Sequence, residues 1–128
     1  MKIIGIGVDI VDNKRIKLLI KNKKFMSRIY GKNEILNSKK IQNKSNYLSK
    51  RFAAKESFAK ALGTGFRNGL NFKDVEILND KIGKPYYQIN QKLKKLVKKK
   101  KKIKEFNLFL SISDEKDYSV AFTVIQSK

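Results

Sequence analysis

Cysteine and histidine are both absent from the 128 residues. Without cysteine there is no disulfide, no thiol nucleophile and no thiolate metal site. Without histidine there is no imidazole base, no Ser-His triad and no His-ligated zinc. Any chemistry must therefore run on carboxylates, hydroxyls, lysines, backbone amides or a hard metal ion. Acidic residues are scarce too, 11 against 31 basic ones, for a net charge of +20. No long hydrophobic run exists. The apolar stretch after Met1-Lys2 is broken by Asp9, so it does not read as a secretory leader. Nothing approaches the length of a membrane span. A hydrophobic fraction of 41% still supports a packed core, and the length suits one domain over residues 1–128. The expectation is a soluble cytoplasmic protein.

The excess of positive charge argues for a polyanionic partner: nucleic acid, a phosphate-rich ligand, an acidic protein or a membrane surface. Its composition weakens the signal. Of the basic residues 27 are Lys and 4 are Arg, and with abundant Asn and Ile this is the pattern AT-rich codons produce. Selective phosphate or base readers lean on the arginine fork. A small basic nucleic-acid-binding protein, for instance a ribosome-associated one, would explain the charge directly. It would not explain the two acidic positions described below, and no binding motif with aromatic platforms is present.

Residues 3–11 read as a buried strand whose alternation separates two faces. Ile4, Ile6, Val8 and Ile10 share one; Gly5, Gly7 and Asp9 share the other. Asp12 then caps a helix with an apolar stripe of Ile16, Leu19 and Ile20 and a wet side of Lys14, Lys17 and Lys21. Residues 22–40 read as short helices around Phe25, Met26, Ile29 and Leu36. A long helix is expected from about Asn46 to Leu62, with Gly63 following as its C-terminal residue and an ordered loop to Asn71. Val75–Leu78 and a strand opened by Pro85, the only proline, come next. Leu93, Leu96 and Val97 mark a short amphipathic helix ending in five lysines at 98–102. Phe106–Ser113 and Tyr118–Ile125 form a hairpin. The fold class is α+β: a long central helix packed on a small, mostly antiparallel sheet.

Two carboxylates stand out. Asp9 lies in an otherwise uncharged run and needs hydrogen bonds, a cation or a metal to compensate it; a strand-end aspartate capping the next helix is the plainer reading. Glu56 lies in Arg51-Phe-Ala-Ala-Lys-Glu-Ser-Phe-Ala-Lys60, where helical spacing puts Phe52, Glu56 and Lys60 on one face. An ordinary Glu–Lys surface pair is the plainer reading there. Magnesium suits the combination, being held by one or two carboxylates plus substrate phosphates, with lysines to neutralise phosphate oxygens. Small residues at Gly63-Thr64-Gly65 would admit a bulky anion beside Lys60, or simply cap the helix. Ser111 and Ser113 alternate on one strand face, toward phosphate or toward water. The first helix and the 98–102 lysines are either a docking surface for an acidic partner or a solvated face inflated by composition.

Taken together, these segments resemble the holo-acyl-carrier-protein synthases, the small single-domain type of 4′-phosphopantetheinyl transferase. The resemblance rests on Gly5-Ile-Gly-Val-Asp9-Ile-Val with Arg15-Ile16, and on Arg51 through Gly65. Gly83-Lys-Pro85-Tyr and Ser111-Ile-Ser113-Asp114 through Val120-Ala121 add to it. Residues 22–46 and the lysine run match poorly. The resemblance implies a magnesium ion on Asp9 and Glu56 gripping the coenzyme A pyrophosphate. It implies Lys60 on phosphate and Gly63, Thr64 and Gly65 beside the nucleotide, with Ser111 a further candidate for the phosphates. Arg15 would face the acidic helix of an acyl carrier protein, and the assembly would be a homotrimer with sites between subunits. It implies transfer of phosphopantetheine from coenzyme A to a carrier serine for fatty acid biosynthesis, with Glu56 or a metal-held water as candidate proton acceptor and no nucleic acid or membrane as partner. Intact Asp9, Glu56 and Lys60 speak against a relative that has lost activity. Two positions depart from the family, which often carries histidine where this chain has Phe109 and Asp114. Phe109 cannot donate to a phosphate; it can pack on the core or lie against an adenine ring.

Overall fold

The computed structural model describes residues 1–66 and 69–128. The chain runs β1 (Lys2–Asp12), α1 (Asn13–Leu19), α2 (Lys23–Ile29), α3 (Lys32–Ser38) and α4 (Lys44–Leu62), then a 3-10 turn at Phe72–Asp74. It continues through β2 (Val75–Asn79), β3 (Pro85–Ile89), α5 (Gln91–Lys101), β4 (Phe106–Asp114) and β5 (Tyr118–Ser127). β1, β5 and β4 form one sheet in that order and β2–β3 a second, every pairing antiparallel.

The long helix α4 crosses the inner face of the larger sheet. One set of core residues, with Val11, Ile16, Leu48 and Phe52, lies toward its N-terminal half. A second, with Phe58, Leu62, Leu93, Val97 and Ile125, lies toward its C-terminal half. The helix starts at Lys44, two residues ahead of the expected Asn46, because the Asn43 side chain accepts from the Asn46 N–H at 3.2 Å. Its end is as expected: Gly63 takes the left-handed conformation at φ 85°, which glycine adopts without a Cβ penalty. Asp12 caps α1 by accepting from the Lys14 N–H at 2.9 Å. As expected, the amphipathic helix ends in the lysine run, α5 continuing to Lys101.

The expectation for β1 needs correction. Its apolar face is not buried: Ile6, Val8 and Ile10 are 60%, 54% and 63% exposed. Gly7, Asp9 and Val11 face inward instead. The reason is the closeness of α4. A Cβ on Gly7 would lie 2.0 Å from the Ser57 carbonyl oxygen, and one on Gly5 2.1 Å from that of Ala61. Only a face without side chains can meet the helix backbone there. A bulge between Ile3 and Gly5 shifts the register, and Ile4 leaves the outer set to pack on the core. In α3, Leu36 is 47% exposed, and the inward positions fall to Glu34 and Ile35.

Candidate active site

Because Asp9 is on the glycine face of β1, it points at α4, where Glu56 and Lys60 stand one turn apart. The Lys60 ammonium donates to Asp9 Oδ1 at 3.1 Å and to the Val8 carbonyl at 3.0 Å. The Asp9 side chain is 15% exposed and that of Lys60 56%. Burial pushes the Asp9 carboxyl up from its ordinary range, against the opposing pull of Lys60 and Arg15. Glu56 is half-buried and is also pushed up, first by burial and then by the negative charge of Asp9, with Lys60 and Arg15 pulling the other way. Two carboxyls whose proton affinity burial raises, one of them raised further by the charge of the other, are a place where a cation is welcome.

Arg15 is exposed at the start of α1, its guanidinium carbon 5.7 Å from the centre of the Phe52 ring. It thus stands beside both acids. The start of α1 is held rigidly. The Asn13 amide donates to the carbonyls of Glu115 and Lys116 at 3.1 Å each and accepts from the Ser119 hydroxyl at 2.8 Å. Beyond Lys60, α4 ends in Gly63. The Thr64 hydroxyl donates to the Gly65 carbonyl at 2.8 Å, and Gly65 is left-handed with open space where a side chain would be.

The fold therefore brings together Asp9, Glu56, Lys60 and Arg15, with Gly63, Thr64 and Gly65 at the end of the same helix. It does not bring Ser111 to them within one chain. Ser111 is exposed on the outer face of β4, opposite Phe122 of β5 and in line with Phe109 and Ser113, while Asp9 faces the other way. Phe109 is 51% exposed there. Asp114, the second departure, accepts from the Asn46 amide at 3.1 Å. Among the described residues no group of three or more Cys, His, Asp or Glu is arranged around a metal position.

Sequence reasoning missed the support beneath the site. Lys55, next to Glu56, is fully buried and pairs with the equally buried Glu34 at 2.6 Å. It also donates to the carbonyls of Val75 at 2.6 Å and Phe72 at 3.0 Å. On the sheet side, the Ser57 and Thr123 hydroxyls are 2.6 Å apart and the Tyr87 hydroxyl is 2.7 Å from Thr123, tying β3, β5 and α4 together one residue from Glu56. Arg51 stacks on Tyr47 at 3.6 Å and donates to Asn79. The available signal was position: Arg51 and Lys55 are a turn apart on a helix face shared with Leu48 and Phe58, where long cations require buried partners.

The sequence profile described as the 4′-phosphopantetheinyl transferase superfamily matches residues 5–123. A Pelagibacter ubique protein named holo-[acyl-carrier-protein] synthase is 59% identical over 128 residues, covering 100% of both chains. The crystal structure of the holo-[acyl-carrier-protein] synthase of Neisseria meningitidis superposes with TM-score 0.87 at 42% identity, over 98% of this chain and 99% of that one. That of Bacillus anthracis, in complex with CoA (3′,5′-ADP), superposes at 0.83 with 35% identity over 100% of both.

Proposed function

The chain belongs to the holo-acyl-carrier-protein synthases of the 4′-phosphopantetheinyl transferase superfamily, and from that premise we propose that it moves 4′-phosphopantetheine from coenzyme A to a serine of an acyl carrier protein, serving fatty acid biosynthesis. The observation that carries the reading is the pair of half-buried carboxylates, Asp9 and Glu56, raised by burial beside Lys60. The serine oxygen attacks the phosphorus bearing pantetheine, its proton passes to Glu56, and the bond to adenosine 3′,5′-bisphosphate breaks. Raised proton affinity suits Glu56 to that acceptance. Lys60, more than half exposed on a flexible stem, turns to phosphate oxygens, and the Gly63–Gly65 loop lets them approach the backbone. The donor set fits magnesium, which takes one or two carboxylates and completes its shell with phosphate and water: Asp9 and Glu56 would hold it. Bound there, the ion supplies charge neutralisation at the pyrophosphate. The direct test incubates the protein with apo carrier protein, coenzyme A and magnesium; mass spectrometry then registers the phosphopantetheine increment on the carrier. A carrier left unmodified by active-site-intact protein removes the reading.

The carrier docks on α1. Its exposed side presents Lys14, Arg15 and Lys17 around Leu18, which is 66% exposed, an apolar centre with a basic rim that fits an acidic amphipathic helix. Arg15→Glu raises KM for the carrier by about tenfold or more and KM for coenzyme A by much less, and salt weakens the carrier step because exposed charges are screened beyond ~8–10 Å. Steady-state kinetics with each substrate varied in turn checks this. If replacing Lys98, Lys99 and Lys100 by Ser weakens the carrier step more than Arg15→Glu does, the surface lies elsewhere.

The protein acts as a cytoplasmic homotrimer of one-domain chains, each site shared between neighbours. No helix of the described residues is long and apolar enough to cross a membrane. Support for assembly comes from the outer sheet face: Ile6, Val8 and Ile10 of β1 line up with Phe122 of β5, 44% exposed, and Phe109 of β4. A patch of this kind on a chain of this size calls for a protein surface, and two further copies of the chain would cover it. The same face carries Ser111, which a neighbouring copy would bring to the site. Sedimentation gives three times the 14.8 kDa chain mass; Val8→Asp with Phe122→Asp gives monomers and loses transfer. A wild-type monomer with full turnover would mean that each chain carries a complete site.

A further inference from the structure

The lysines of α5 differ in what they surround. Lys92, Lys95 and Lys99 stand at i, i+3 and i+7 and so share one face of the helix, with Leu96 between them. They rim a groove of about 460 Å³, within the roughly 300–1,000 Å³ of small-molecule sites. Its floor is Leu93, which is buried, and Leu96, which is partly buried. Both pack in the core of Phe58 and Leu62 of α4. Gly69 and Asp74 line it from the other side. That core also holds Ile125, so α5 sits on the inner side of the larger sheet, and the groove is not on the sheet face where copies of the chain would meet.

The charges of the rim are not equivalent. Lys92 lies 3.7 Å from the Asp74 carboxylate, whereas no carboxylate lies within ion-pair distance of Lys95 or Lys99 among the described residues. Those two are exposed and one turn apart, the spacing at which like charges repel. An anion set between them removes that repulsion. The rest of the lining offers a ligand little that is polar. The lysine stems are themselves apolar, and the Asp74 carboxylate already meets Lys92 and accepts from the Asn71 amide at 3.4 Å. None of the lining residues named carries an aromatic ring to stack a base, or a hydroxyl or side-chain amide to grip a sugar or a peptide. A ligand that fits has one anionic group and an apolar body.

We propose that this groove binds the anion of a fatty acid, with the carboxylate between Lys95 and Lys99 and the chain over Leu96 and Leu93. Asp9, Glu56 and Lys60 do not line it, so the site is separate from the candidate active site and does not depend on how that site is read.

The experiment titrates the protein calorimetrically with decanoate, hexanoate and decanol, each kept monomeric. The variants are Lys95→Ser with Lys99→Ser, Lys100→Ser with Lys102→Ser, and Leu96→Gln. The first two remove the same charge, one pair at the groove and one away from it. Decanoate binds the wild type saturably, one per chain. Hexanoate binds at least about tenfold more weakly because it covers less apolar surface, and decanol does so because it brings no charge. Loss of Lys95 and Lys99 costs roughly tenfold in decanoate affinity, loss of Lys100 and Lys102 costs little, and Leu96→Gln loses most of the binding, with melting temperatures as the control on its fold. Four results would overturn the proposal. Absence of saturable decanoate binding to the wild type would show that the groove is empty surface. Equal losses in the two lysine pairs would mean diffuse attraction to the whole basic face. Binding to phosphatidylglycerol vesicles without binding of monomeric decanoate would make the face a membrane contact. Displacement of decanoate by coenzyme A would place the ligand in the active site. The transfer assay decides the reading of the active site separately.

Discussion

Asp9→Asn and Glu56→Gln each lower phosphopantetheine transfer by roughly two to three orders of magnitude, while neither variant melts below the wild type. Each substitution keeps the shape of the side chain and removes only its charge. The loss of rate follows from the proposed roles, in which the two carboxylates would hold a cation that neutralises phosphate charge and Glu56 takes the serine proton. The unaltered or raised melting temperature follows from the same geometry. Folding raises the proton affinity of both carboxyls, chiefly by burial. A carboxyl of that kind binds its proton more tightly in the native chain than in the unfolded one. Its contribution to stability is therefore greatest at low pH and is lost as pH rises through the raised value. At neutral pH the fold carries two charges that it disfavours, and the amides relieve it of one each. The Asp9–Lys60 pair offsets little of this, because Lys60 is more than half exposed and such pairs are worth about 0–1 kcal/mol.

The pH dependence has the same cause. Burial raises the proton affinity of Asp9 and Glu56, so the acid limb of kcat/KM, which reports the free enzyme, lies above the ordinary carboxyl values of 3.8 and 4.5. Calorimetric melts and a pH profile on the three proteins check both statements. Variants that melt well below the wild type would make the two acids structural caps, and wild-type-like turnover in either folded variant would remove the metal assignment.

What the sequence disclosed depended on whether the deciding interaction was local. The helix end at Gly63, the Asp12 cap, the strand opened by Pro85 and the last hairpin are written in neighbouring residues, and all are found. Asp9, Glu56 and Lys60 were legible because a charge in an apolar run and an i, i+4 spacing are local patterns. The orientation of β1 was not. Alternation separates its two faces correctly, but which one meets α4 is decided by helix backbone that a Cβ would overlap. An apolar face left bare is the opposite of what a single chain would choose, and it makes sense only if another surface completes the core. The place of Ser111 depends on the same orientation: it lies on the exposed face of the sheet, opposite Phe122, away from the acids of its own chain. Glu34 gave no sign of itself: its partners Lys55 and Ile77 are distant in sequence.

Lys55→Met destabilises the protein by about 3–5 kcal/mol, a fall of more than ~10 °C in melting temperature for a chain of this length. Lys55 and Glu34 are both 0% exposed, yet every polar atom between them is used. The ammonium donates to Glu34, Phe72 and Val75. The carboxylate accepts in addition from the backbone N–H groups of Gly31 and Ile77, at 2.9 Å each. The pair therefore ties α4 to α3, to the turn at Phe72–Asp74 and to β2, and Glu76 of β2 adds to the bond by accepting from the N–H of Asn33 at 2.9 Å. Burial drives the Lys55 ammonium down from its usual range and Glu34 pulls it back up, so the charge persists only while its partner does. Methionine fills the volume but leaves a buried carboxylate without its cation and two carbonyls without a donor. Lys55→Met combined with Glu34→Gln should recover a substantial part of the loss, because the lone charge is gone and the amide still accepts from the backbone. A double variant no more stable than Lys55→Met would show that the carbonyls of Phe72 and Val75, rather than the carboxylate, dominate the cost. A single variant within about 1 kcal/mol of the wild type would show that the pair is dispensable. Denaturant melts of the two variants decide between these outcomes. Transfer assays on the double variant then ask whether Glu56, one residue along, keeps its place when the anchor is neutral, and the expected answer is a turnover within a few-fold of the wild type, since the Ser57, Thr123 and Tyr87 hydroxyls still fix α4 against the sheets.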